Sequence, residues 1–148
     1  MAILNALYVL TDGGRARFVE RSPDNGAYVT FEKMDGARRL AALRAELRAS
    51  PPGRSISSTS PRRAAVGPDD YTRPAKEAFV REVADHAAEL CRRRDFASVV
   101  VAAPPRLVSE LKRRVADRVR VEASLGKDLT KSSDHELGAW LDHIPGSP

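Results

Sequence analysis

The stretch that decides the fold is ILNALYVLTDGGRAR, residues 3–17. Ile3 to Leu10 is apolar nearly throughout, which is typical of a strand that is covered on both faces and lies in the centre of a sheet. Thr11-Asp12-Gly13-Gly14 follows, and its two glycines supply the positive φ values that a tight hairpin turn requires. The stretch therefore predicts a central strand that turns back at once into an antiparallel neighbour over Arg15 to Arg21.

Three further strands follow from the same kind of pattern. After the turn signal Pro23-Asp24-Asn25-Gly26, the third strand, Ala27 to Lys33, alternates Ala27, Val29 and Phe31 against Tyr28, Thr30 and Glu32, as a half-exposed edge strand does. Phe96 to Ala103 is again continuously apolar, which predicts a second central strand. Arg118 to Ser124 alternates, which predicts the opposite edge.

Four amphipathic segments are predicted as helices. The first begins at Gly36, with Ala37, Leu40, Leu43 and Leu47 on one stripe. The second is the longest and runs from about Thr72 to Arg94. The third starts at Pro104-Pro105, and the last opens on Ser133 and Glu136, which form a capping box before the apolar residues Leu137, Trp140, Leu141 and Ile144.

The order of these elements predicts one architecture. Three antiparallel strands come first, and the fourth strand returns parallel to the first through a right-handed crossover. We therefore expect an α/β fold with a mixed five-stranded sheet of order 3-2-1-4-5, flanked by helices, as in the ribonuclease-H-like fold. One such domain would take up all 148 residues.

Composition and charge limit the kinds of partner and the cellular location that are expected. The chain has 25 basic and 20 acidic residues, a net charge of +5 and a pI near 9.8, which permits an anionic partner without requiring one. A single cysteine, Cys91, excludes an internal disulfide and favours the cytoplasm. The apolar run at residues 3–10 is too short for a membrane span, so no membrane insertion is expected.

The sequence predicts no catalytic residue, no metal site and no cofactor. Two-metal phosphodiester cleavage needs several converging carboxylates, but only Asp12 follows the first strand, and the fourth strand contains no acid. The turn position of Asp12 predicts that its side chain caps the hairpin. His86, His135 and His143 have no partner at metal-ligand spacing.

Residues 50–71 form a basic segment with an unusual composition. Ser50 to Pro68 holds five serines, four prolines, two glycines and three arginines, with no acidic residue. Because arginine matches phosphate oxygens bidentately, Arg54, Arg62 and Arg63, with Arg73 nearby, are candidates for binding RNA or another anion. The alternative is a solvated loop without a partner.

Three separated motifs carry a resemblance to a known family. They are Asp12-Gly13-Gly14-Arg15-Ala16-Arg17, Ala103-Pro104-Pro105-Arg106-Leu107 with Leu111-Lys112, and Lys127-Asp128-Leu129-Thr130.

Together these motifs resemble the bacterial host-attachment protein family, over nearly the whole chain. That family is similar to the middle domain of archaeal and eukaryotic peptide-chain release factors, which carries a Gly-Gly-Gln motif in the loop before its long helix. Here the matching loop has Gly53 followed by Arg54, and the sequence contains no glutamine. The resemblance therefore implies an association with the ribosome without release catalysis.

Three hypotheses for the function follow. The first is a non-catalytic binding protein that contacts RNA, on the ribosome, through the basic segment. The second is an interaction protein that supports adhesion without contacting RNA, as the family name suggests. The third is a weak hydrolase that uses Asp12, Arg15 and Arg106. The sequence does not predict the oligomeric state.

Overall fold

The structure is a computed structural model that describes residues 5–36 and 73–144. Within these ranges it contains five strands and three helices. In chain order they are β1 (Ala6–Thr11), β2 (Arg15–Arg21), β3 (Tyr28–Asp35), α1 (Arg73–Arg94), β4 (Ser98–Ala103), α2 (Pro105–Ala116), β5 (Val121–Gly126) and α3 (Asp134–Leu141).

The strands form one mixed sheet in the order β3-β2-β1-β4-β5, which confirms the predicted α/β architecture. β1 is antiparallel to β2 and parallel to β4, and β5 continues the sheet parallel to β4. Every residue of β1 and β4 is buried, as the two continuous apolar runs predict for central strands. The likeness to the ribonuclease-H scaffold stays a prediction that rests on this strand order.

Helices cover both faces of the sheet. Leu7 and Val9 of β1 pack with Val83 of α1 and Leu111 of α2 on one face. Tyr8 and Leu10, which alternate with them, pack with Leu137 and Leu141 of α3 on the other. Burial of each large apolar side chain in such a core stabilises the fold by roughly 1.5–3 kcal/mol. The two cores fix the sheet between two layers of helix.

β4 and β5 begin later than predicted, because the residues before them close the end of the preceding helix. β4 begins at Ser98 and not at Phe96, because Phe96 N donates to the carbonyl of Cys91 and closes the end of α1. β5 begins at Val121 and not at Arg118, because the amides of Arg118 and Val119 both donate to the carbonyl of Val115 in α2. Sequence alternation alone does not reveal such closures.

Both edge strands contain a β-bulge. In β3, Phe18 pairs with Glu32 and Val19 with Thr30, so Phe31 is the extra residue. In β5, Val99 pairs with Val121 and Val100 with Ala123, so Glu122 is the extra residue. A bulge bends an edge strand and makes it a poorer template for pairing with another chain.

The bulge in β3 corrects the predicted alternation. Tyr28 is buried under α3, whereas Val29, which the pattern groups with Phe31, is 41% exposed. Phe31 packs against the core under α1. Because of the extra residue, Glu32 lies on the same face as Phe31, where it contacts His86 of α1, and not on the face of Tyr28 as the simple alternation predicts.

The last helix is confirmed, but its apolar face is narrower than predicted. The capping box is present, with Ser133 Oγ accepting from Glu136 N and Ser133 N donating to the Glu136 carboxylate. Leu137 and Leu141 are buried, and Ile144 is buried beyond the helix end. Trp140 is 41% exposed, with its ring 4.5 Å from Lys127 Nζ, so it does not contribute to the core.

Two predicted features lie outside the described residues. One is the helix predicted to begin at Gly36, of which only Gly36 itself is described. The other is the basic segment 50–71 with Arg54, Arg62 and Arg63. Across residues 5–36 and 73–144, no helix has both the length and the apolar character needed to cross a membrane.

Candidate functional site

The three motifs meet at one edge of the sheet, called here the carboxyl edge (residues 12–15, 104–107 and 127–130). β1, β4 and β5 are parallel, so their carboxyl ends share this edge, where ligands of open α/β sheets commonly bind. A Cβ on Gly13 would lie 2.9 Å from Leu107 Cδ1, and one on Gly126 would lie 3.7 Å from Pro105. The fold therefore brings together segments that are about a hundred residues apart in the chain.

Asp12 organises the turn between β1 and β2, as predicted. Its Oδ1 accepts hydrogen bonds from Gly14 N at 2.8 Å and from Arg15 N at 2.7 Å. Gly13 has a φ of +92°, which glycine adopts without strain. One carboxylate oxygen of Asp12 is thus held by the backbone, so this side chain has a structural role in the turn.

Thr130 connects the first motif to the third. Its Oγ1 lies 2.6 Å from Asp128 Oδ1 and 3.5 Å from Asp12 Oδ2, and its amide donates to Asp128 Oδ1 at 2.9 Å. Asp128 therefore caps its own turn. In the described part of the chain, no group of three or more His, Cys, Asp or Glu side chains is placed to hold a metal ion.

Arg17 is the centre of the polar network beside this edge. The residue is 7% exposed although it is charged. Its Nη1 donates to the carbonyls of Leu129 at 2.9 Å, Thr130 at 3.4 Å and Ser132, and its Nε and Nη2 donate to Thr30 Oγ1. A guanidinium fork thereby holds the segment after β5 against β2 and β3.

Asp134 completes this network. Arg17 Nη2 donates to Asp134 Oδ1 at 2.7 Å, and Thr30 donates to the same carboxylate through both its hydroxyl and its amide. Burial alone would raise the pKa of Asp134, but the hydrogen bonds from Thr30 and the charge of Arg17 outweigh it and lower the pKa. The pair stays ionised near neutral pH.

A cleft opens between β2, β3 and the loop before α3, with a volume of about 570 Å³. This is within the usual range for small-molecule sites. Its lining is rich in polar side chains. The lining residues are Arg15, Ala16, Arg17, Thr30, Lys33, Met34, Asp35, Thr130, Lys131, Ser132, Ser133 and Asp134.

The other predicted site residues are placed as follows. Pro104 is the N-cap residue of α2, and Arg106 is exposed in the first turn of that helix. Lys127 lies over the ring of Trp140. Arg73 begins α1 and forms an exposed ion pair with Glu77 at 3.3 Å. Arg54, Arg62 and Arg63 lie outside the described residues, so their proposed role is untested.

Sequence patterns did not identify Thr30, Lys33, Lys131 and Asp134 as site residues. Asp134 contacts Arg17 and Thr30 across more than a hundred positions, and a local pattern does not contain such contacts. Arg17 offered one signal, since it is a charged residue between Ala16 and Phe18 in a strand with a buried centre. Such a charge requires a partner elsewhere in the fold.

Comparison with known proteins gives a family. A family model described as "Protein required for attachment to host cells" matches residues 8–141, a range that includes all three motifs. No curated protein matches the chain.

Proposed function

Because the chain belongs to the family of proteins required for attachment to host cells, we propose that it supports attachment as a non-catalytic binding protein whose partner is RNA. The contact surface is the carboxyl edge together with the basic segment 50–71. Arg54, Arg62 and Arg63 bind phosphate groups, with Arg73 beside them. The protein acts in the cytoplasm, where ribosomes provide the most abundant RNA.

One observation carries this proposal: both described flanks of residues 37–72 are at the carboxyl edge. Gly36 N donates to the carbonyl of Gly14 at 2.7 Å, in the turn that Asp12 caps. On the other side, Lys76 in the first turn of α1 lies within 3.2 Å of the position of a Cβ on Gly13. The described residues on either side of the segment 37–72 therefore lie where the three motifs meet.

The chemistry of this edge supports an anionic partner. Arg73 and Arg106 are exposed there, and the ion pair of Arg73 with Glu77 is a surface pair worth less than about 1 kcal/mol. A phosphate could replace Glu77 as its partner at little cost. The resemblance to the middle domain of release factors supports the ribosome as the source of the RNA.

The experiment is co-sedimentation of the full chain with ribosomes from its own cells at low and high salt. The test variant is Arg54→Ala/Arg62→Ala/Arg63→Ala. The control, Arg81→Ala/Lys112→Ala/Arg120→Ala, removes the same charge from exposed sites on α1, on α2 and before β5. We expect sedimentation that weakens steeply with salt, is lost in the test variant and persists in the control.

The family description favours a second candidate, an interaction protein that supports adhesion without contacting RNA. Complementation of a deletion strain separates the two candidates. If the Arg54/Arg62/Arg63 variant restores attachment as well as the original chain does, RNA contact through these arginines is not the function and the second candidate is preferred. The hydrolase hypothesis, with Asp12, Arg15 and Arg106, requires ester or phosphodiester turnover that Asp12→Asn abolishes.

A further inference from the structure

The cleft beside β2 and β3 has an excess of positive charge. Four basic side chains and two acidic ones line it. The two carboxylates have identifiable partners. Asp134 binds Arg17 and Thr30, and Asp35 lies directly opposite Arg15 in the β2–β3 ladder, where opposite charges stabilise the pair. The excess therefore belongs to the remaining cations, Lys33 and Lys131.

Lys33 and Lys131 are both exposed, and neither side chain forms an ion pair or hydrogen bond with any residue in the described ranges. This sets them apart from arginines that pair with carboxylates at or near α1. Arg94 binds Glu20 at 2.9 Å, and Arg118 binds Asp85 at 2.7 Å.

The register of the sheet places Lys33 in an unfavourable position for a cation. It lies directly opposite Arg17 in the ladder, and like charges at such positions destabilise a sheet. The side chain of Arg17 is held by six hydrogen bonds, so it does not turn away. Asp134 already pairs with Arg17, so it does not serve as the counter-ion of Lys33, and an anion in the cleft would supply one, which points to a ligand.

We propose that Lys33 and Lys131 hold a phosphate group in this cleft. Each ammonium group donates to a phosphate oxygen, and Lys131 also offers its backbone amide, which has no partner among the described residues. Ser133 adds a hydroxyl proton, because its oxygen already accepts from Glu136 N. Several donors from different sides suit the tetrahedral arrangement of oxygens around phosphorus better than the two coplanar oxygens of a carboxylate.

The phosphate comes either from a nucleotide or from the backbone of RNA, and the cleft is large enough for a nucleotide. Only the second source rests on the proposed function. The site itself needs no residue of the basic segment.

The test is a titration of the ¹⁵N-labelled full chain with inorganic phosphate, followed by amide NMR at constant ionic strength. We expect saturable shifts at Lys131, Ser132 and Ser133. In Lys33→Ala/Lys131→Ala, the apparent Kd should rise by roughly tenfold or more, since the variant loses both charge-assisted hydrogen bonds to the phosphate. The control is Arg81→Ala/Lys112→Ala, which removes the same charge from the exposed surfaces of α1 and α2.

Unchanged shifts at Ser132 and Ser133 in the Lys33/Lys131 variant would overturn the proposal, and so would the absence of shifts in the original chain. Adenosine monophosphate and an octamer of uridylate then identify the source. Shifts of these amides by the nucleotide but not by the octamer indicate a free phosphate ester, and shifts by the octamer indicate backbone phosphate.

The two proposals fail separately. If phosphate shifts the cleft amides but the chain does not sediment with ribosomes, the phosphate site stands and the RNA function is wrong. If the chain sediments with ribosomes but phosphate leaves the cleft amides unmoved, the RNA function stands without this site.

Discussion

Arg17 holds the loop between β5 and α3 to the sheet through six hydrogen bonds from one buried side chain. Arg17→Ala would leave Asp134 without its cationic partner and several carbonyls unsatisfied. We expect the free energy of unfolding to fall by about 3 kcal/mol, the lower end for broken buried pairs because the Asp134 side chain is 42% exposed. Urea denaturation measures this loss.

The control is Arg81→Ala, an exposed arginine on α1 whose loss should change stability by less than about 0.5 kcal/mol. A change below about 1 kcal/mol for Arg17→Ala would contradict the assigned role. The loop would then hold its position through its own turn and the capping box of α3.

Asp134 makes the stability depend on pH at the acid end. Its pKa is lower in the folded chain than its ordinary value of 3.8, so the unfolded chain takes up a proton first as the pH falls. Its contribution is complete above about pH 4 and is lost as the pH falls below it. Urea titrations between pH 2 and pH 6 should show a smaller acid-induced loss for Asp134→Asn, whereas identical pH profiles would exclude this role.

At the scale of elements, the turn between β1 and β2 fixes how closely α2 approaches the sheet. Gly13 has a φ of +92°, and a Cβ there would meet Leu107 at 2.9 Å and Lys76 at 3.1 Å. Gly26 also has a positive φ, but its Cβ would meet only the flexible end of Arg21, at 3.2 Å. A residue with a side chain is strained at both positions because φ is positive. Of the two, only Gly13 also has side chains from two helices close to the position of its Cβ.

We therefore expect Gly13→Ala to lower the free energy of unfolding by at least about 1 kcal/mol more than Gly26→Ala does. Thermal or urea denaturation of the two variants makes the comparison. Equal losses would show that the backbone conformation, and not the approach of α1 and α2, sets the requirement for glycine.

The sequence was sufficient to predict which strands are central and which are edges. Continuous apolar character at Val99 to Ala103 has only one physical explanation in a mixed sheet, which is burial on both faces. It was insufficient for Glu32 and Trp140, because the face of Glu32 depends on a bulge and the exposure of Trp140 depends on how far α3 extends over the sheet. Local periodicity contains neither.

At the scale of the whole molecule, the site was predicted only in part. Asp12 was expected in its turn, where two amides bind it. Arg17 was singled out by resemblance, but its network depends on residues 112 to 117 positions away. Such contacts are a property of the assembled sheet, which is why Lys33 and Lys131 became candidates only in three dimensions.

Cys91 reports on the cooperativity of the whole fold. It is 7% exposed in the core under α1, and burial raises the pKa of its thiol to about 11. Since the thiolate is the reactive species, labelling by Ellman's reagent at pH 8 should occur only through unfolding, with a protection free energy equal to that from urea denaturation. A fast labelling rate that does not depend on urea would reveal a separate opening of the end of α1.

The two bulges have a consequence for insertions and deletions. Removing Phe31 from β3 would leave Thr30 and Glu32 as neighbours on opposite faces, where they already lie, and would cost the packing of the Phe31 ring against the core and its contacts with Arg94 and Phe96. Removing a residue elsewhere in a paired strand turns every side chain on one side of the cut to the wrong face. The unpaired residue of each bulge, Phe31 in β3 and Glu122 in β5, is thus a position at which a deletion preserves the register of the strand.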